Sequence, residues 1–111
     1  MPGNPAVRDL ASSMTEAATA SLGSDWPKVR DFAKPELARL ARSLLDIGRL
    51  AAEQKISLEE AHSLVEIHKN TTRMVMLTVQ GLGILAVERA INAALGAVRD
   101  TINTALGVAL L

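Results

Sequence analysis

The last 22 residues nearly repeat themselves after 11 positions. Ala90-Ile91-Asn92-Ala93-Ala94-Leu95-Gly96-Ala97-Val98-Arg99-Asp100 is followed by Thr101-Ile102-Asn103-Thr104-Ala105-Leu106-Gly107-Val108-Ala109-Leu110-Leu111, with five identities. Eleven residues close three helical turns at about 3.67 residues per turn, so this hendecad period describes a straight or slightly right-handed helix laid along a neighbour, as in a coiled coil. No proline occurs from Leu58 onward, and the pattern predicts one helix over 57–109. At about 1.5 Å per residue it would be on the order of 78 Å long, whereas a compact chain of this size has a radius of gyration near 13 Å. Either the helix breaks at Gly81-Leu82-Gly83, where each glycine costs about 1 kcal/mol relative to alanine, or the molecule is a rod covered by other chains.

The preceding half reads as three shorter helices. Residues 6–22 carry Val7, Leu10, Met14 and Leu22 at helical spacing and end at Gly23. Ser24-Asp25-Trp26-Pro27 offers a side-chain cap and a first-turn proline, starting a helix over 25–33 that Pro35 interrupts. Over 35–54, Leu37, Leu40, Leu44, Ile47 and Ala51 line one face, and Arg39, Arg42, Asp46, Arg49 and Glu53 line the opposite one. Ser57 and Glu60 form a capping box, so Lys55-Ile56 is a tight connection between antiparallel neighbours. Trp26 and Phe32 are the only aromatics, which favours closely packed helices over sheets. The expected fold is all-α: a single domain over residues 1–111, an elongated antiparallel helical hairpin or bundle with a long C-terminal helix, completed by oligomerisation.

Charge and composition exclude several functions. Twelve basic residues balance 12 acidic ones, so no net field attracts nucleic acid. Without cysteine there are no disulfides and no thiolate metal sites. The start, Met1-Pro2-Gly3-Asn4-Pro5, lacks the charged and apolar regions of a secretory signal, and a cytoplasmic location is expected. The apolar run 74–87 is shorter than the roughly 20 residues needed to cross a bilayer. No nucleophile with a recognisable base, no phosphate loop and no aromatic platform is present. The sequence shows neither a small-molecule substrate nor a required cofactor, and the chain reads as a structural or interaction protein rather than an enzyme.

The C-terminal segment is where association is expected. On a helical wheel Ile91, Leu95, Val98, Ile102 and Leu106 form a strip of large side chains, beside a strip of small ones that includes Ala86, Ala90, Ala93 and Ala97. This arc exceeds the stripe that one neighbour requires. These nine residues are therefore the expected homo-oligomeric interface. A peripheral lipid surface is a less favoured occupant, because the polar strip of Glu88, Arg89, Asn92, Arg99, Asp100 and Asn103 mixes signs and contains no lysine.

One constellation has metal-binding chemistry. Glu59 and His62 have the spacing of the Glu-x-x-His element of ferritin-like carboxylate bundles, and Glu66 follows one turn later. Carboxylates and imidazole suit iron or another divalent metal. Such a site also needs inward-facing carboxylates from a neighbouring helix, whereas Asp46 and Glu53 lie on the polar face. The alternative places Glu59 and Glu60 at a helix N-terminus, with His62 and Glu66 as an exposed pair. His68 falls on the apolar side with Ala61, Val65, Thr72 and Val75.

Overall fold

The computed structural model describes residues 6–79 and 81–111; the Pro/Gly/Asn-rich start and Gln80 lie outside the described residues. Four α-helices form an all-α bundle: α1 (Val7–Leu22), α2 (Trp26–Ala52), α3 (Leu58–Leu77) and α4 (Ile84–Leu106). The long axis is 42 Å, about the length of the 27-residue α2 at 1.5 Å per residue. The radius of gyration is 13.8 Å, close to the compact expectation.

The helix expected over 57–109 is therefore two helices folded against each other. Gly81 adopts φ 89°, a conformation that glycine enters without strain, and Gly83 is the extended N-cap of α4. Leu82, between them, is buried. Leu82 thus gives the turn an apolar anchor, and α4 is turned back along α1. The fold adopts the broken alternative.

Pro35 has the opposite outcome. The expected interruption between 33 and 35 is absent, and α2 runs through the proline. Asp31, whose carbonyl loses its amide partner, is exposed to water, as is Pro35 itself. Val29 and Ala33 before the proline, and Leu37 and Leu40 after it, are buried in the same core. Burial on both sides offsets the local loss. At the start of α2 the chain makes a 3-10 turn (Gly23–Asp25), and Asp25 does not cap; its carboxylate accepts from Lys28 Nζ at 3.1 Å.

The second hairpin follows its local signals closely. Gln54 N donates to Ala51 O at 3.0 Å and Lys55 N to Leu50 O at 2.9 Å, with Gln54 at φ 61°. This is the Schellman pattern that satisfies terminal carbonyls. The capping box then starts α3: Glu60 N donates to Ser57 Oγ at 3.0 Å, and Ser57 N to Glu60 Oε1 at 2.8 Å. The backbone bond from Ser57 holds the Glu60 carboxyl below its ordinary value, reinforced by the Ser57 side chain. All five apolar positions expected on α2 are buried, and all five polar ones are exposed.

Helix adjacency is uneven. α1 packs extensively on α4 and on α2, and α2 on α3; α3 and α4 touch far less. The bundle is a ring with one loose seam.

Candidate functional site

The fold sorts the expected interface residues into two groups. Ala90, Ile91, Val98 and Ile102 are fully buried within this chain, so they cannot face a second one. Folding back at Gly81 places this edge of α4 in the core with α1. Leu95 and Leu106 are half-buried; Leu95 faces α3 across the seam, and Leu106 extends to Gly48 of α2, where a β-carbon would collide with it. The rest of the small strip, which continues through Thr101 and Thr104, fares differently. Ala86 and Ala93 are half-buried, and Ala97, Thr101 and Thr104 are exposed. Its outer margin carries Leu85, Arg89 and Asp100, all exposed. Large apolar side chains also emerge where α3 hands over to α4: Met74 is 68% exposed, Ile84 58% and Leu85 66%.

The Glu59, His62 and Glu66 constellation is not assembled into a metal site. All three are exposed, and Glu66 receives Lys69 Nζ at 3.2 Å. His62 Nε2 lies 2.8 Å from Ala109 O and must donate to that carbonyl. Among the described residues no group of three His, Cys, Asp or Glu side chains could hold a metal ion. His68 is half-buried, on the side expected from its spacing.

Instead, His62 helps hold a C-terminal strap, residues 107–111. Gly107, at φ 71°, ends α4 in the left-handed region, and the chain turns back across the seam. Asn103 clamps the strap at two points: Leu111 N donates to Asn103 Oδ1 at 3.0 Å, and Asn103 Nδ2 donates to Leu111 O at 3.1 Å. Leu110 is buried and extends close to Gly48. Only the absence of a side chain at Gly48 leaves room for Leu106 and Leu110.

The strap closes one end of a cleft along the α3–α4 seam. Near the other end, Arg73 of α3 pairs with Glu88 of α4, including a 3.3 Å bond from Nη2 to Oε2. The cleft between them has a volume of about 480 Å³, with Val65, Leu95 and Leu110 as apolar wall and Lys69, Asn92 and Arg99 as polar lining. Sequence reasoning missed both strap and cleft. Gly96 and Gly107 occupy equivalent places in the repeat, yet one lies inside a helix and the other ends it.

The apolar run 74–87 is divided between α3, the turn and α4, and no described helix is long and apolar enough to cross a membrane. Comparison with protein-family models, curated proteins and solved structures finds no match for this chain.

Proposed function

We propose that this chain is a helical structural or interaction module that acts by pairing with a second copy of itself through the outward margin of α4, and not by catalysis. The observation that carries the reading is the solvent-facing row in which Arg89 and Asp100 flank Ala93 and Ala97. Neither Arg89 nor Asp100 has an ion-pair partner among the described residues. They are one 11-residue repeat apart, so both lie on the same side of the helix. A twofold axis crossing α4 between residues 94 and 95 sets each Arg89 opposite Asp100 of the second copy. The same operation sets the exposed Leu85 against Thr104 of that copy. Small side chains between them permit close approach of the two helices, and isologous symmetry uses each charge pair twice.

Light scattering and sedimentation test this directly. The expected mass is that of two 11.8 kDa chains. Arg89→Asp or Asp100→Arg alone gives single chains, the double reversal restores pairing, and Ala93→Glu with Ala97→Glu abolishes it. A wild-type mass of one chain at high concentration overturns the proposal, as does indifference to both single reversals. Flotation of single chains with lipid vesicles would also overturn it, in favour of a lipid surface.

A further inference from the structure

Pairing through α4 leaves the α3–α4 cleft unexplained. Its volume, about 480 Å³, falls within the range of small-molecule sites, and its lining combines an apolar wall with polar and charged side chains from α3 and α4. Gly96, on its lining, is the informative residue. It sits inside α4 without a left-handed backbone, and a β-carbon there would meet nothing closer than Arg99 Nη2 at 3.8 Å. Packing within the chain therefore does not require glycine, although glycine costs an exposed helix about 1 kcal/mol relative to alanine. What its missing side chain does is keep the cleft open beneath the Arg99 guanidinium.

The charges select the ligand class. Lys69, with a side chain only 18% exposed, is matched by Glu66 at 3.2 Å. The His62 ring bonds the strap carbonyl. Arg99 is exposed on the same lining and has no acidic side-chain partner among the described residues, so its guanidinium is free to meet an anion. A guanidinium offers paired donors that fit a carboxylate. From Asn92 to Arg99 the lining extends about 10 Å along α4.

We infer that the α3–α4 cleft binds a medium-chain aliphatic carboxylate, its head group on Arg99 and its chain along Val65, Leu95 and Leu110. Val65, Leu95 and Leu110 line the cleft at the seam, while Gly96 borders the pairing row.

Isotope-labelled protein titrated with decanoate, decanol, decyltrimethylammonium and acetate tests the assignment by chemical-shift mapping. Decanoate is expected to bind most tightly, with shifts concentrated at Val65, Leu95, Gly96 and the strap. Arg99→Gln weakens decanoate about tenfold, the loss of one charge-assisted contact, and leaves decanol unchanged. Gly96→Leu fills the cleft and weakens both, while its melting temperature, equal to or above that of the wild type, shows that the fold persists. The mass of each variant, measured in parallel, separates loss of pairing from loss of binding. Three results would overturn the inference: no cleft shifts with decanoate, undiminished decanoate binding by Arg99→Gln, or equal binding of decanoate and decyltrimethylammonium.

Discussion

Gly48 and Gly96 show how one residue type serves two purposes inside helices, one in a crowded contact and one facing open space. Both lie inside helices, and by intrinsic preference alone each would stabilise the protein by up to about 1 kcal/mol on conversion to alanine. At Gly48 the new β-carbon would fall on Leu106 and come within 3.1 Å of Leu110 Cδ2. Overpacking of that kind costs on the order of 1–3 kcal/mol, and the displaced side chains hold the strap in place. At Gly96 the new atom enters open space beside Arg99. Gly96→Ala is therefore expected to raise the denaturation midpoint, and Gly48→Ala to lower it. Chemical denaturation of the two variants reads this contrast, and a rise for both would mean that the strap is not seated on α2.

At the level of the element, the sequence is most reliable where the signal is local. The capping box at Ser57 and Glu60 and the two faces of α2 were readable because each depends on residues within one or two turns. The two misplaced boundaries depend on distant contacts. Glycine at 81 and 83 has a known local cost, but the decision to fold back rests on burying Leu82 and laying α4 on α1, which no window of sequence contains. Pro35 is the converse, a local breaker overruled because Val29 and Ala33 remain in the core. The site was less legible than the fold for the same reason. His62 was visible as a polar residue of unusual chemistry, yet its partner is Ala109, 47 positions away. Because α2 is continuous, Pro35→Ala restores an amide donor toward the Asp31 carbonyl and improves helix propensity, less the rigidity that proline gives the unfolded chain. The expected net gain is about 1–2 kcal/mol. Calorimetric melting that finds no gain would indicate that the helix is interrupted there after all.

For the whole molecule, the order of packing around the ring determines which part loosens first. α2 buries residues along its entire length and supports both α1 and α3, whereas α3 buries a single narrow stripe of Ala61, Val65, Thr72 and Met76. On its other side α3 meets α4 only sparsely, and an ion pair, Arg73 with Glu88, ties the two across the seam. Elements with few buried apolar contacts open at lower free energy than the core. Loosening of α3 at its sparse seam with α4 would widen the cleft while α1, α2 and α4 keep their mutual packing, which gives a ligand a route in. Native-state hydrogen exchange should then show α3 amides exchanging before those of α2, and Arg73→Ala should accelerate α3 selectively by removing the tie. Uniform exchange of all four helices, with Arg73→Ala changing them equally, would mean that the bundle opens only as one unit and that the seam is no weaker than the rest of the core.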